Sequence, residues 1–364
     1  MTNRICIYAI AKNEEKFVDT WYESMKEADA IVVLDTGSTD RTVEKLRAHG
    51  VTVKEKRYDF WRFDVGRNDS LELIPDDCNI CFTTDLDEKF EPGWADIIRN
   101  EWIEGKHTRA TYSYFTGDEE FEQSLNWCHS KEWRWKFPCH EAMARDKSGI
   151  WYYPDETLNL RGRVKLRHYP DRSKGRSYYI DLLKIRKEEN PDDAASAAYY
   201  MRELTYVKDW AGIIAMREDV EVPEFEDRTA DKGAMYKWIG DAYSNTGDHE
   251  AANEYYRKSI STNEKDRAAY IALAQNLIQD GKHQEGKDVL IECLKKSVRD
   301  PSWTWVDSPD LWEWKAYDWL CVADYWMGNY DAAAGWAHLA LAGSPGNIHV
   351  LKNLKVSERK LPRR

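Results

Sequence analysis

Short apolar runs and amphipathic stretches alternate through the first third of the chain. The apolar runs predict buried strands at residues 5–10, 30–35, 51–55 and 79–84. Between them, helical periodicity predicts helices near residues 17–27, 41–49 and 66–73, the second of which Ser38 or Thr39 would cap. Strand–helix alternation of this kind predicts an α/β domain with a parallel sheet and helices on both faces.

Polar residues gather where these predicted strands end. Ala11 leads into Lys12-Asn13-Glu14-Glu15, and Asp35 and Asp85 end the second and fourth strands. Ligands of open α/β sheets bind at the carboxyl ends of the strands. The chemistry of this domain is therefore expected at that edge.

From about Ser177 the pattern is helical throughout and repeats itself. Residues 239–259 and 273–293 share one register of small residues and turn glycines, a third copy spans residues 320–345, and a degenerate copy spans residues 194–222. The spacing matches tetratricopeptide repeats. We predict one domain over residues 1–176 and an all-α repeat domain over residues 177–364. The repeats would form either a structural cap or a concave groove for a peptide or a second subunit, including a second copy of this chain.

Composition narrows the class of protein. The chain has 364 residues and a formal charge of −12, which argues against a nucleic-acid-binding body, although a local basic groove is compatible with it. Seven cysteines in no regular spacing predict no disulfide framework. No apolar run is long enough to span a membrane, and no signal-cleavage pattern is present, so we expect a cytoplasmic protein. The 17 Trp and 21 Tyr residues indicate packing anchors or sugar-stacking surfaces.

The run Asp85-Leu86-Asp87 is the central chemical signal. Carboxylates at alternate positions after a strand can direct two oxygens to one divalent cation, which would neutralise a diphosphate leaving group. The alternative is an ordinary turn or a helix N-cap. A strand followed by such a run also begins haloacid-dehalogenase-like phosphatases, but those need Thr or Val where this chain has Lys89.

Three motifs together resemble family 2 glycosyltransferases of the GT-A fold. They are residues 9–15, 33–40 and 84–87. Combined with residues 63–68, Pro138-Cys139-His140-Glu141, Arg167-His168-Tyr169 and the repeats, they are similar to the two-domain enzymes that include bacterial peptide S-glycosyltransferases. The resemblance implies a mixed sheet with helices on both faces. It also implies a nucleotide-diphosphate sugar as donor, with UDP as the expected nucleotide, and a peptide, protein, glycan or other acceptor. A peptide thiol, a cell-surface glycan and a modified nucleobase are all compatible with this donor site.

The resemblance further implies roles for individual residues on the donor side. Ala9 and Glu14 would line the base and ribose pocket, and Asp35 would accept a hydrogen bond from the nucleobase. Arg67 would face the diphosphate or sugar, or else form a salt bridge with Asp64. Asp85 would contact the ribose or water around the metal. The remaining implied donor residues are Asp87 and His168 as ligands of Mn or Mg, and Lys174 and Arg176 in a basic loop that orders over the diphosphate.

The resemblance implies an inverting transfer, which needs a carboxylate that takes the acceptor proton. Glu141 is the predicted base, with Asp118 or Glu119 as alternatives. Trp133-Arg134-Trp135 would either stack against the acceptor or close the sheet edge. The pairs Cys128-His129 and Cys139-His140 lack the spacing of zinc ligands. A further alternative is a non-catalytic scaffold, in which the repeats bind a partner and the first domain is vestigial.

Overall fold

The computed structural model describes residues 3–116, 119–121, 128–145, 154–171, 178–221, 228–296 and 308–361. Contacts divide the chain into two compact units, Met1–Leu182 and Leu183–Arg364. The predicted boundary between residues 176 and 177 falls outside the described residues. Among the described residues, no helix is both long and apolar enough to cross a membrane.

The first unit consists of short strands and helices, and its last helix continues into the second unit. Its described strands are β1 (Ile5–Ala11), β2 (Ala30–Asp35), β3 (Thr52–Glu55), β4 (Ile80–Thr83), β5 (Glu88–Phe90), β6 (Arg109–Thr111), β7 (Ser113–Thr116), β8 (Glu119–Phe121), β9 (Cys128–His129), β10 (Arg134–Lys136), β11 (Ala142–Ala144), β12 (Thr157–Asn159) and β13 (Lys165–His168). Its described helices are α1 (Val18–Met25), α2 (Thr42–Ala48), α3 (Phe63–Leu71), α4 (Trp94–Glu101) and α5 (Tyr179–Glu189).

The main sheet has seven strands in the order β12-β6-β9-β4-β1-β2-β3. Strands β1 to β4 pair in parallel, as the alternation of the first third predicts, whereas β9 runs antiparallel between β4 and β6. A second sheet has the order β5-β13-β7-β8, and β10 and β11 form a separate hairpin. The main sheet is therefore mixed, because the two-residue strand β9 enters it in the opposite direction.

Strand β1 shows why this unit has two hydrophobic faces. Side chains alternate between the two sides of a strand. Ile5, Ile7, Ala9 and Ala11 join one core cluster, which includes Trp21 of α1 and Trp94 of α4, while Cys6 and Tyr8 join a second cluster with Leu71 of α3. A strand covered on both faces is apolar at every position, and β1 accordingly reads as a continuous apolar run.

The second unit is helical in its described residues. Its helices are α6 (Ala194–Val207), α7 (Trp210–Ala215), α8 (Thr229–Asn245), α9 (His249–Thr262), α10 (Arg267–Gln279), α11 (His283–Leu294), α12 (Pro309–Glu313), α13 (Lys315–Trp326), α14 (Tyr330–Gly343) and α15 (Ile348–Glu358). Helices α8/α9, α10/α11 and α13/α14 are the three predicted repeat pairs. Asp248 and Asp266 cap α9 and α10 by accepting backbone N–H groups.

Glycines inside the repeats allow neighbouring helices to approach closely. A Cβ atom at Gly240 would lie 2.6 Å from the ring of Tyr256, and one at Gly286 would lie 2.6 Å from Ile278. These are the positions at which the repeat pattern predicts small residues. The helical repeat architecture predicted from the sequence is thereby confirmed.

Candidate active site

The loops that follow β1 and β2 are joined side by side. The backbone N–H of Asn13 donates to Ser38 Oγ at 2.9 Å, and the N–H of Thr39 donates back to Asn13 Oδ1 at 2.8 Å. The N–H of Glu14 donates to Thr42 Oγ1 at 2.8 Å. Asn13 adopts a left-handed backbone conformation, with φ of 55°, which Asn tolerates better than most residues. These reciprocal bonds hold the two strand ends as one rigid edge.

Asp35 organises the second of these loops. It is 1% exposed, and its Oδ1 accepts the N–H groups of Gly37 and Ser38, both at 2.9 Å. Its Oδ2 accepts the hydroxyl of Ser38 at 2.5 Å. The prediction that Ser38 or Thr39 caps α2 is wrong, because Asp40 Oδ1 accepts the N–H of Thr42 instead. An ionised carboxylate has about four acceptor positions, so Asp35 keeps capacity for one further donor.

The two residues expected to line the base and ribose pocket lie in different surroundings. Ala9 is completely buried in the core cluster of β1, whereas Glu14 is half-buried in the loop that follows the strand. Of the two residues, Glu14 is therefore the one whose side chain is accessible to a bound nucleotide.

The acidic run begins where β4 ends and continues into β5. The side chains of Asp85 and Asp87 point to different partners: Asp85 Oδ1 accepts Nη2 of Arg67 at 3.1 Å, and Asp87 Oδ2 lies 3.3 Å from Nε2 of His168. The register of β13 explains the second contact, because His168 stands directly opposite Glu88 in the antiparallel pairing of β13 with β5. The strand pairing thus brings together two residues far apart in sequence.

Glu88 is the buried member of the acidic run. Its Oε2 accepts the backbone N–H of Asp85 at 2.9 Å, and its Oε1 accepts the hydroxyl of Tyr114 at 3.1 Å. Burial raises the pKa of Glu88 well above its usual value, and the nearby charges of Asp85 and Asp87 raise it further. Glu88 fixes the turn from which the two aspartates project.

Asp87 and His168 are the residues that could hold a cation. The described residues contain no group of three or more His, Cys, Asp or Glu side chains arranged around one metal position. Magnesium-type ions are nevertheless commonly held by one or two carboxylates together with substrate phosphates and water. A carboxylate and an imidazole facing one another fit such a partly formed site, which a diphosphate would complete.

Arg67 and Glu141 form the other half of the site. Nε of Arg67 donates to Glu141 Oε1 at 2.6 Å, and Nη1 donates to Thr83 Oγ1 at 3.2 Å. Burial by itself would lower the pKa of the guanidinium, but the charges of Asp85 and Glu141 outweigh burial and raise the pKa above its ordinary value. The salt bridge considered for Arg67 is therefore made with Glu141 and Asp85, while Asp64 pairs with Arg62 at 2.9 Å.

The hairpin of β10 and β11 presents Glu141. Its loop contains two non-glycine residues in the left-handed region, Phe137 with φ of 77° and His140 with φ of 46°. The carbonyl of Pro138 accepts the N–H of Phe63 at 2.9 Å, which ties this loop to the start of α3. Strained backbone of this kind is concentrated at functional sites, because the surrounding structure must hold it in place.

The comparison with protein families covers most of the first unit. Residues 6–158 match the family model described as glycosyl transferase family 2. The first unit is a family 2 glycosyltransferase domain. Residues 234–266 match the tetratricopeptide repeat model, so the chain combines a family 2 glycosyltransferase domain with a repeat domain. No curated protein matches the chain.

Solved structures similar to this chain include TPR domains. The first TPR domain of the human RPAP3 protein is 16% identical, with a TM-score of 0.30, 35% of this chain covered and 91% of that chain. The N-terminal domain of stress-induced protein-1 from C. elegans is 21% identical, with a TM-score of 0.31 and coverages of 36% and 97%. MamA is 17% identical, with a TM-score of 0.35 and coverages of 45% and 85%.

The two tryptophans at β10, one just before the strand and one within it, do not form an acceptor platform. Trp133 and Trp135 are 1% and 3% exposed and pack in the second core cluster. The partly exposed rings lie elsewhere, in a row that leads to Glu141. The centroids of Trp61 and Phe63 are 5.3 Å apart, and Tyr179 is 5.9 Å from both Phe63 and His140. No sequence motif predicts this row, because its members come from three separate segments.

A buried polar chain supports Trp135 from below. Its indole Nε1–H donates to the Tyr8 hydroxyl at 3.0 Å, and that oxygen lies 2.6 Å from Nε2 of His129. Nδ1 of His129 faces the carbonyl of Ser130 at 2.7 Å, so the proton is on Nδ1 and Nε2 accepts from Tyr8. Burial lowers the pKa of His129 to about 4, which keeps the ring neutral at pH 7.

Several predicted residues lie outside the described residues. They are Lys174 and Arg176 of the basic loop and Asp118, together with the side chain of Glu119. The structure places the other predicted residues at the strand-end edge or in the core directly beneath it. Their roles toward a donor or an acceptor stay predictions.

The repeat unit contains a concave cavity of its own. Its volume is 470 Å³, and its walls carry polar groups from successive repeats. Nζ of Lys237 donates to Asp241 at 2.7 Å, and Asn353 Nδ2 and His349 Nε2 contact Asp318 at 2.8 and 3.0 Å. The described residues therefore contain a cavity lined by the repeats, while the two interpretations, a structural cap and a groove for a partner, stay predictions.

Proposed function

We propose that the protein transfers a sugar from a UDP-linked donor, with a divalent cation bound and with inversion at the anomeric carbon, to a peptide, protein or glycan acceptor. One observation carries the proposal: the Asp87–His168 pair and the Arg67-bound Glu141 both lie where the acidic run leaves the carboxyl end of β4, linked through Asp85. Such an edge is where α/β sheets bind ligands.

The donor would occupy the joined loops after β1 and β2. Asp35 would accept a hydrogen bond from the nucleobase, Glu14 would border the ribose, and Asp85 would lie beside it. Asp87 and His168 would hold Mn²⁺ or Mg²⁺. When bound, the cation would neutralise the charge that develops on the departing diphosphate. Since the loops are already hydrogen-bonded to each other, the pocket needs little ordering to accept a nucleotide.

Glu141 would act as the base. As the acceptor oxygen or sulfur attacks the anomeric carbon, its proton would pass to a carboxylate oxygen of Glu141, while the bond from that carbon to the diphosphate breaks on the opposite face. The side chain of Glu141 is 12% exposed, so few water molecules compete for its oxygens. A base held within hydrogen-bond reach of the attacking group typically contributes about 10²–10⁴-fold to rate.

The acceptor would reach Glu141 along the row of rings at Trp61, Phe63 and Tyr179. The repeat unit would separately bind a protein partner. Tetratricopeptide architecture favours protein partners over free sugars. Residues 6–158 match the glycosyl transferase family. This match does not support the alternatives of a vestigial scaffold or a phosphatase.

A panel of nucleotide sugars tests the proposal. Calorimetry with Mn²⁺ should give binding for uridine-linked donors, and the bound donor should be slowly hydrolysed to sugar and nucleotide, since water can replace the acceptor. Asp87→Asn should remove the Mn²⁺ dependence of both signals. Asp96→Asn, at a surface pair with Arg99 in which the Asp96 side chain is 82% exposed, is the matched control and should leave both unchanged. If no nucleotide binds and none is hydrolysed, the proposal fails in favour of a scaffold.

A further inference from the structure

We propose that Arg67 is a positioning residue that holds the acceptor-side base and the donor-side acidic run in one fixed arrangement, and that it does not itself bind the diphosphate. The inference rests on the proposed function, since it takes Glu141 as the base. It assigns to the α3 arginine a role different from the donor contact that family resemblance implies.

The first support is the direction of the guanidinium nitrogens. Three of them point at three protein oxygens: Nε at Glu141 Oε1, Nη1 at Thr83 Oγ1 and Nη2 at Asp85 Oδ1, at 2.6, 3.2 and 3.1 Å. The oxygens belong to a strand, to the run that follows that strand, and to a hairpin loop. One rigid planar fork therefore sets the separation between two carboxylates that belong to different segments.

The second support is burial. The side chain of Arg67 is 4% exposed, and the plane of the guanidinium lies over the ring of Trp135, 5.0 Å from its centroid. Trp135 is in turn fixed by its hydrogen bond to Tyr8. By contrast, the side chain of Asp85 is 41% exposed, so the acidic run and not the arginine forms the accessible surface of the site.

The third support is charge. Arg67 places one positive charge between the two carboxylates, so turning toward a diphosphate would leave Glu141 buried without its cation. Removing one partner from a buried ion pair is strongly unfavourable. Donor binding is therefore expected to leave the Arg67–Glu141 contact in place, with the base already oriented before the acceptor arrives.

Lysine and glutamine substitutions test the assignment. Arg67→Lys keeps the positive charge but cannot make all three hydrogen bonds, to Glu141, Thr83 and Asp85, at once. Arg67→Gln removes the charge. Arg99→Gln is the matched control, because Arg99 also pairs with two aspartates but lies on α4, outside the site. Donor affinity with Mn²⁺ is measured by calorimetry, turnover by donor hydrolysis at saturating donor, and folding by melting temperature.

We expect both variants to bind donor within about threefold of the parent while turnover falls about 100-fold in Arg67→Gln, within the range that a general base contributes. The loss should therefore fall on turnover of bound donor and not on donor binding. Arg67→Lys, which keeps the charge beside Glu141, should recover part of the turnover.

Two outcomes would overturn the assignment. A loss of donor affinity of tenfold or more, with turnover of bound donor unchanged, would make Arg67 a donor ligand. Turnover lost only in proportion to folded protein, with no recovery in Arg67→Lys, would make its role purely structural. If Arg67→Gln does not fold, the donor affinity and turnover of Arg67→Lys decide by themselves. Failure of the parent protein to bind or hydrolyse any donor would instead refute the proposed function.

Discussion

Removal of the ammonium group of Lys287 should destabilise the repeat unit far more than removal of a surface cation between neighbouring repeats. Nζ of Lys287, on α11, contacts both carboxylate oxygens of Asp324, on α13, at 2.7 and 2.8 Å. The side chain of Asp324 is completely buried. Lys287→Met would keep the aliphatic stem and leave that carboxylate without its cation.

The structure sets the magnitude. Breaking a buried pair by removing one partner costs about 3–5 kcal/mol. Asn329 Nδ2 and Trp336 Nε1 would still donate to Asp324, at 2.9 and 2.8 Å, so we expect a loss of about 2–4 kcal/mol. Arg257→Met is the matched control, since Arg257 and Glu285 also join neighbouring repeats at 2.9 Å but are both about half exposed. Such surface pairs contribute about 0–1 kcal/mol.

Urea denaturation of the full chain, followed by far-ultraviolet circular dichroism, measures the difference. Burial would raise the pKa of Asp324, but the bonds from Lys287, Asn329 and Trp336 outweigh it and lower the pKa. The contribution of a carboxylate whose pKa is depressed by folding is present above the unfolded pKa, about 3.9, and is lost as pH falls toward the folded value. The gap between the two variants should therefore shrink in acid. Equal losses at neutral pH would refute the reasoning.

Three further predictions concern the first unit. Glu141→Gln should abolish transfer and donor hydrolysis while leaving calorimetric nucleotide binding nearly intact, and normal turnover would remove Glu141 as the base. His168→Ala should weaken Mn²⁺-dependent donor binding by at least the roughly 10–100-fold that loss of an outer-shell metal partner costs, with binding of the metal-free nucleoside as the control. Gly66→Ala should lose about 1–3 kcal/mol of stability and lower turnover, because the added Cβ atom would lie 2.3 Å from the ring of Trp61, beside Arg67. The control is Gly335→Ala, whose added Cβ atom would have no neighbour within 4 Å and which should not lose stability.

The regular elements could be predicted from the sequence because their patterns are local. The apolar runs at β1, β2 and β4 and the 34-residue spacing of the repeats each lie within one window of chain. Strand β9 could not be predicted, since two residues carry no periodicity, and its antiparallel direction is decided by its neighbours in the sheet. The start of α3 also differs from the prediction, because Phe63 begins the helix three residues before the predicted start.

The sequence predicts which residues belong to the candidate site, but it does not predict which of their side chains contact one another. The acidic run and His168 are identified by motif, and β13 pairing brings them together. The contact of Arg67 with Glu141 joins residues 74 positions apart and depends on the shape of a hairpin with two left-handed residues. The role of Trp133 and Trp135 could not be predicted, because packing of the whole unit decides which tryptophans are buried. A tryptophan that stacks on a ligand and one that fills the core are the same residue type in the sequence.

The cysteines have a practical consequence for finding the acceptor. All seven lie among the described residues as buried thiols outside any disulfide, and burial raises the pKa of thiols such as Cys81 and Cys293 to about 12. Thiolates, which react with disulfide and maleimide reagents, are then scarce on the native protein. A colorimetric thiol count in a mixture of enzyme, donor and candidate peptide would report almost entirely on the peptide. Disappearance of that signal would reveal sugar transfer to sulfur without any label on the donor.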